Sequence, residues 1–329
     1  MNIQFLFNQG IEKYQRGDYQ GAILVFTQVI QANPKHIQAS LYRGMAYANI
    51  NQFQKAIADY YQTLRLDSSN CDAYLNRGLA RYRLKNYPSA ISDYDQVAHL
   101  LPNHADTYRH RADAYWALGK YPEAIADYTQ ALKLNSQMLV AYLHRGIVYG
   151  LMGNYKQRLE DCNQVLRLNP SILGGYTFRA AAHCALGNYE AAVSDCEQAL
   201  QLEPKKISVH MAFGDTYYHT RNYSKAISSY SQAIDLGGNI AIVYACRGLC
   251  RHHVGDASAA VIDCDKALEL DPNCAEAYNH RALAQTLIGN YQQAIEDLHK
   301  AASLFQQQTK HKEHQEAIES IQKLEKRMK

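Results

Sequence analysis

Apolar and polar positions alternate along this chain in a pattern that returns every 34 residues. Nine consecutive repeats follow it without an insertion or a deletion, so each residue has a position from 1 to 34 within its repeat. A fixed period of this size is typical of a solenoid, in which each repeat contacts only its neighbours. The repeats are residues 3–36, 37–70, 71–104, 105–138, 139–172, 173–206, 207–240, 241–274 and 275–308.

Two apolar stripes in each repeat have the spacing of an amphipathic helix. Positions 4, 8 and 11 form the first stripe, as in Tyr108, Ala112 and Tyr115. Positions 20, 24 and 27 form the second, as in Ala124 and Tyr128. Position 15, between the stripes, is glycine in six repeats, and position 32 is proline in five, residues that end helices. Each repeat therefore predicts two helices of about 12–15 residues.

Three positions in the repeat are nearly constant. Position 8 is glycine or alanine in all nine repeats, and position 20 is alanine in eight, Arg158 being the exception. Position 17 is aromatic in eight repeats, with Ala257 as the exception. Small residues at positions 8 and 20 let two helix axes approach closely. With the aromatic residues at position 24 and the recurrent proline, this pattern resembles the tetratricopeptide repeat over residues 3–308.

The resemblance implies an all-α fold: a right-handed superhelical solenoid of nine antiparallel helical hairpins, with the first helices lining the inner surface. It also implies protein or peptide binding as the default activity. After the last repeat, residues 309–329 predict a C-terminal capping helix, with one apolar stripe among charged residues. A calmodulin-type target helix is the alternative, but six basic against four acidic residues give it weak support. The stripe is Ala317, Ile318, Ile321, Leu324 and Met328.

Composition excludes several classes of partner. With 34 basic and 31 acidic residues the net charge is +3, so no strong field attracts nucleic acid or anionic lipid. No apolar run approaches the ~20 residues of a membrane helix, and the first residues lack the features of a signal peptide. Among eight cysteines there is no CxxC, and Cys162, Cys196 and Cys264 replace aromatic residues at position 24. Buried thiols of this kind indicate a reducing compartment, and we expect a cytoplasmic protein.

Arginine at position 7 and aspartate at position 23 occur in the same seven repeats, and both are missing from repeats 1 and 7. This coincidence favours an ion pair between the two helices of one repeat, because a partly buried charge left unpaired is costly. An anion-binding ladder of arginines is the functional alternative. The pairs are Arg43–Asp59, Arg77–Asp93, Arg111–Asp127, Arg145–Asp161, Arg179–Asp195, Arg247–Asp263 and Arg281–Asp297.

Positions 2, 5, 9, 12 and 13 project from the first helix away from its core stripe, and in the resembling family they line the groove. Here they are apolar with aromatic and methionine anchors, which indicates a partner site for a peptide or helix of another protein. Acidic residues outnumber arginines on this face, which favours an apolar ligand with some basic character. Packing between adjacent first helices is the alternative for some of them, and self-association stays open. The candidates are Leu41, Met45, Leu75, Leu79, Tyr82, Arg109, Asp113, Trp116, Leu143, Ile147, Met211 and Tyr218.

Catalytic and metal-binding motifs are missing from the sequence. There is no phosphate loop, dinucleotide fingerprint, HExxH or GxSxG. Cys246, Cys250, His252 and His253 lie close in sequence but lack the spacing of a zinc site. Position 5 never holds lysine and position 9 never asparagine, so the clamp for acidic C-terminal tails known in some tetratricopeptide proteins is not expected.

We therefore expect a non-enzymatic scaffold or adaptor without catalytic residues, bound metal or cofactor. A chaperone-like assembly factor or a regulatory subunit of a larger complex is the alternative, and a metal-binding protein or enzyme is a remote one.

Arg158 marks an expected weak point. A long cation at a close helix crossing must bend outward to water or separate the helices. Gly150, Gly174 and Gly175 lie nearby, and each weakens a helix by roughly 1 kcal/mol. We expect faster amide hydrogen exchange over residues 150–176, and a hinge there that changes the curvature of the groove.

Overall fold

The computed structural model describes residues 2–328, and within that range it has nineteen α-helices and no β-strand. From α1 to α17, successive odd-numbered helices begin 34 positions apart, as at Ile3, Ile37 and Cys71, so these helices follow the sequence period. The helices are α1 (Ile3–Gln15), α2 (Tyr19–Ala32), α3 (Ile37–Asn49), α4 (Phe53–Leu66), α5 (Cys71–Arg83), α6 (Tyr87–Leu100), α7 (Ala105–Ala117), α8 (Tyr121–Leu134), α9 (Leu139–Leu151), α10 (Tyr155–Leu168), α11 (Leu173–Ala185), α12 (Tyr189–Leu202), α13 (Ile207–His219), α14 (Tyr223–Asp235), α15 (Ala241–His253), α16 (Ala257–Leu270), α17 (Ala275–Leu287), α18 (Tyr291–Gln307) and α19 (His311–Met328).

The chain divides into two compact units, unit 1 (residues 1–154) and unit 2 (residues 155–329). In unit 1, helices α1 to α8 form pairs, and each first helix also contacts the first helix of the next pair. In unit 2, α11 to α18 form pairs in the same way, and α10 packs against α11. Each pair is the helical hairpin that the two stripes of the repeat predict.

The turn at position 15 has a left-handed backbone in every repeat. Six of these residues are glycines, whose φ lies between 72° and 86°. Asn51, Lys85 and Arg221 occupy the same position in the other repeats with φ of 60°, 60° and 59°. Glycine adopts this conformation without steric cost, whereas a side chain there strains the backbone. The geometry of the turn therefore explains why position 15 favours glycine.

Close approach of the two helices explains the small residue at position 8. A Cβ atom on Gly44 would lie 2.7 Å from the ring of Tyr60, and one on Gly78 would lie 2.6 Å from the ring of Tyr94. Both tyrosines are fully buried at position 24. The ring of the second helix therefore fills the space that a larger residue on the first helix would need.

Helix α19 covers the apolar surface of α18. Ala317, Ile321 and Leu324 are buried in one cluster with residues of α18, and Ile318 packs against its edge. Met328, the last residue of the predicted stripe, is 50% exposed and lies outside this cluster. Each helix within residues 2–328 is too short or too polar to cross a lipid bilayer.

Candidate partner-binding site

The arginine at position 7 joins the two helices of its own repeat. Arg43 donates from Nη2 to Asp59 Oδ1 at 2.6 Å and from Nε to Asp59 Oδ2 at 2.8 Å. In the described part of the chain the same bidentate contact forms in five further pairs. These are Arg77–Asp93, Arg111–Asp127, Arg179–Asp195, Arg247–Asp263 and Arg281–Asp297. Arg145 and Asp161 belong to different units, and their pairing stays a prediction.

The same arginine also reaches position 25 of the preceding repeat, a contact that the sequence analysis missed. Arg111 Nη1 donates to Asp95 Oδ1 at 2.7 Å, and Arg145 Nη1 donates to the Thr129 hydroxyl at 2.8 Å. Equivalent contacts are Arg43–Thr27, Arg179–Asn163, Arg247–Ser231 and Arg281–Asp265. These guanidinium groups are engaged within the protein, so the contacts support a structural role and offer little to an anionic ligand.

A cavity of ≈ 270 Å³ lies in unit 1 on the first helices α3 and α5. Its apolar lining includes Met45 and Leu79, two of the predicted groove residues. Polar groups at its edge include Asn49, Asn76 and Arg83. The amide of Asn49 donates to the Met45 carbonyl at 2.9 Å, which fixes its position, and Arg83 is exposed without an ion pair among the described residues. The cavity thus combines apolar side chains with polar groups that could orient a bound segment.

The other predicted groove residues differ in how accessible they are. Leu41 is only 3% exposed and packs in the core with Ala56 and Tyr60, so it is not available to a partner. The remaining eleven are half-buried. Tyr82 and Trp116 also pack against core clusters of unit 1. This agrees with the alternative interpretation, in which outward-facing residues pack between adjacent helices. Substituting either residue would therefore disturb the fold as well as the surface.

Asp113 is the centre of a polar network in unit 1 that joins α7, α8 and α9. It accepts hydrogen bonds from the Tyr128 hydroxyl at 2.5 Å and from His144 Nδ1 at 2.9 Å, and Arg109 Nη1 lies 3.2 Å away. Burial acts to raise the pKa of Asp113, but the hydrogen bonds from His144 and Tyr128 outweigh it and lower the pKa. Trp116 packs on the His144 ring, with centroids 5.4 Å apart. Because Asp113 already has three partners, its charge supports a basic ligand less than the sequence suggested.

Unit 2 contains a cavity of ≈ 380 Å³ between α11 and α13. Met211 and Asp215 line it from α13, Phe178 from α11, and Arg158 from α10. Arg158 is half-buried over the Phe178 ring at 5.2 Å, so it faces this cavity instead of extending to open water. Tyr218, the second groove residue predicted in this unit, packs against the neighbouring core cluster.

Gly175 has a packing role that the sequence analysis missed. A Cβ atom there would lie 2.6 Å from the side chain of Leu166. Glycine therefore lets α10 and α11 approach closely, whatever its effect on helix propensity.

The cysteines and histidines of repeat 8 do not gather in one place. Cys246 and Cys250 pack with the core of α13 to α15. His253 stacks on Tyr223 with ring centroids 4.5 Å apart. Within residues 2–328 no group of three or more His, Cys, Asp or Glu side chains is arranged to hold a metal ion.

Comparison with known families identifies the repeat. One model described as a tetratricopeptide repeat matches residues 7–70, 51–106 and 179–241, and a second such model matches 139–172 and 275–308. A model described as a TPR repeat matches residues 112–153. No curated protein sequence matches the chain.

Solved structures show the same fold. A tetratricopeptide repeat protein from Parabacteroides merdae is 18% identical, with a TM-score of 0.64 over 76% of this chain and 98% of that one. The C-terminal part of a TPR repeat-containing protein from Cytophaga hutchinsonii is 18% identical, with a TM-score of 0.60 over 70% and 95%. YrrB, a TPR protein described as having an unusual peptide-binding site, is 19% identical, with a TM-score of 0.51 over 57% and 96%. From these matches and the helical hairpins that recur every 34 residues, the chain belongs to the tetratricopeptide-repeat family.

Proposed function

We propose that this protein is a non-enzymatic scaffold or adaptor that binds an apolar peptide or helix of another protein on the first helices of unit 1. Tetratricopeptide repeats are in general protein-interaction modules without catalysis. The observation that carries the proposal is the cavity that Met45 and Leu79 line together with Asn49, Asn76 and Arg83.

The chemistry of this cavity fits an amphipathic segment. Apolar side chains of the ligand would pack on Met45 and Leu79, which supplies most of the binding free energy. Asn76 and Arg83 would hydrogen-bond polar groups at the edge of that segment, which sets its register. Neither a deep enclosed site nor a metal cluster is required for such binding.

The compartment is a further part of the proposal. Cys162, Cys196 and Cys264 are buried at position 24, where they replace core aromatic residues. Thiols used in this way are typical of proteins from a reducing compartment, so we place the chain in the cytoplasm.

Two matched substitutions test the site. Leu79→Glu puts a charge in the lining of the cavity. Leu24→Glu puts the same charge on the surface of α2, where Leu24 is 68% exposed. With the intact chain as bait, we expect Leu79→Glu to lose the partner and Leu24→Glu to retain it. Circular dichroism of both variants controls for folding. Equal capture by Leu79→Glu and the unchanged protein would refute the assignment of the site.

A further inference from the structure

Within residues 2–328, Arg158 is a partly buried cation without a salt-bridge partner. Position 20 is alanine in the other eight repeats, so the arginine occupies a site where the fold normally has a methyl group. Its guanidinium lies over the ring of Phe178, and its Nε is buried without a hydrogen-bond partner among residues 2–328. Burial lowers the pKa of Arg158, and Cys162 and Tyr155 oppose that shift.

The cavity of unit 2 is also lined by a carboxylate that forms no salt bridge with this cation in the described part of the chain. This carboxylate belongs to Asp215. Its Oδ1 instead accepts the Tyr230 hydroxyl at 2.6 Å, which anchors the carboxylate on α13. Phe178 and Met211 contribute apolar side chains to the lining of the same cavity.

We propose that this cavity binds a peptide segment in which a carboxylate receives hydrogen bonds from Arg158 and an adjacent apolar side chain packs on Phe178 and Met211. The planar guanidinium matches a carboxylate with two parallel hydrogen bonds, and a partly buried cation gains more from that contact than an exposed one. Asp215 in the same cavity repels any added anion, but a singly charged carboxylate less than a doubly charged phosphate group, so of these two anions the carboxylate fits better.

The proposed site differs from the acidic-tail clamp that the sequence analysis rejects. That clamp uses first-helix positions, whereas Arg158 comes from position 20 of a second helix. The proposal assumes, like the proposed function, that the chain binds segments of other proteins. It places this second contact within unit 2, so the two sites can fail independently.

A peptide selection tests the proposal with the full-length chain. A random dodecapeptide library, displayed through its C-terminus, is selected in parallel on the unchanged protein and on Arg158→Ala. Arg158→Ala restores the residue of the other eight repeats, so it is a change that the fold accommodates. We expect peptides rich in Asp or Glu next to apolar residues on the unchanged protein, and loss of this preference on the variant.

Selected peptides are then synthesised as C-terminal amides and measured by fluorescence anisotropy. We expect Arg158→Ala, and separately Glu→Gln in the peptide, to weaken binding on the order of 10- to 100-fold. Combining the two changes should add little, because each removes the same contact. The Gln peptide is also made with a free C-terminus. Tighter binding of this form than of its amide would support the proposal, because a terminal carboxylate would then replace the lost side-chain carboxylate at Arg158.

Two control variants separate this site from others. Arg167→Ala removes an exposed arginine from the same helix and should bind as the unchanged protein does. Leu79→Glu damages only the cavity of unit 1, so it should leave these peptides bound even if the proposed function fails. Acidic peptides that are not enriched, or that bind Arg158→Ala and Arg167→Ala equally, would overturn the proposal.

Discussion

Removing Arg43 should destabilise repeat 2 far more than replacing both members of its ion pair. Asp59 is 5% exposed, and its side chain has Arg43 as its only salt-bridge partner in the described part of the chain. Arg43→Ala therefore leaves a buried carboxylate unpaired. Repeat 7 offers the matched control, because Phe213 and Ser229 occupy the two positions there and both are buried. We therefore compare Arg43→Ala with Arg43→Phe combined with Asp59→Ser.

The structure sets the size of the effect. The pair has two hydrogen bonds of 2.6 Å and 2.8 Å, and the Arg43 side chain is 20% exposed. Breaking a buried pair typically costs about 3–5 kcal/mol, and the partial exposure of Arg43 favours the lower end. In the double variant, the serine that replaces Asp59 can donate a hydrogen bond to the backbone carbonyl one turn earlier. Ser229 makes this bond to the carbonyl of Lys225 at 3.0 Å. We expect a loss of roughly 1 kcal/mol there.

The loss should also depend on pH. Burial raises the pKa of Asp59, and the hydrogen bonds from Arg43 oppose that rise. Without Arg43 the folded-state pKa lies further above the unfolded value of about 3.9. A carboxyl group with a raised folded-state pKa carries no penalty below its unfolded pKa, and its penalty grows as pH rises through the folded pKa. The deficit of Arg43→Ala should therefore be largest near neutral pH and shrink as pH falls toward 4.

Native-state hydrogen exchange of α3 and α4 measures these changes locally, which matters because a repeat protein need not unfold as one unit. Each variant is compared with the unchanged protein at the same pH, so intrinsic exchange cancels. Similar losses in Arg43→Ala and the double variant, or a loss that grows on acidification, would refute the role of this pair in joining the helices.

Three further predictions concern local features of the chain. The Tyr94 hydroxyl is buried without a partner in the described part of the chain, whereas that of Tyr128 bonds a carboxylate at 2.5 Å. In chemical denaturation, Tyr94→Phe should leave stability unchanged or higher, and Tyr128→Phe should lower it by about 1–3 kcal/mol. Lys85→Gly should raise stability by about 0.5–1 kcal/mol, because Lys85 has φ of 60° in the turn. In hydrogen-exchange mass spectrometry, residues 150–176 should exchange faster than the flanking repeats, because Gly150 and Gly174 weaken the helices in which they lie.

Each of these predictions has a contradicting result. Equal losses for the two tyrosine variants would mean that their hydroxyls have equivalent surroundings. A lower melting temperature for Lys85→Gly would show that backbone strain at the turn is negligible beside the entropy of glycine. Uniform protection from repeat 4 to repeat 7 would remove the basis for a weak point.

The sequence predicts individual repeats better than contacts between repeats. The 34-residue period places the start of the helix pairs, as at Ile37 and Cys71. The shared exceptions in repeats 1 and 7 pointed to pairing within a repeat, which is how Arg43 and Asp59 meet. Both inferences need only one repeat, in which helical spacing determines what lies close together.

Contacts between repeats were harder to predict, because they depend on how neighbouring hairpins stack. His144 reaches Asp113 across 31 residues, and no feature of either repeat alone signals that contact. The direction of a long side chain is equally hidden: Arg158 was recognisable as an exception, but its position over Phe178 was not. Leu41 and Met45 both occupy outward positions in sequence, yet only Met45 lines the cavity.

Methyl NMR of the methionines tests the central claim, that partners bind on the first helices of unit 1, most directly. The chain has six methionines; Met45 lines the cavity of unit 1, and Met152 is 41% exposed at the end of α9. The spectrum of methyl-labelled protein is recorded while adding the partner segment that the unchanged protein captures and Leu79→Glu does not. We predict that the Met45 methyl resonance shifts to saturation while that of Met152 stays in place. Saturable binding that leaves Met45 unshifted would contradict the account.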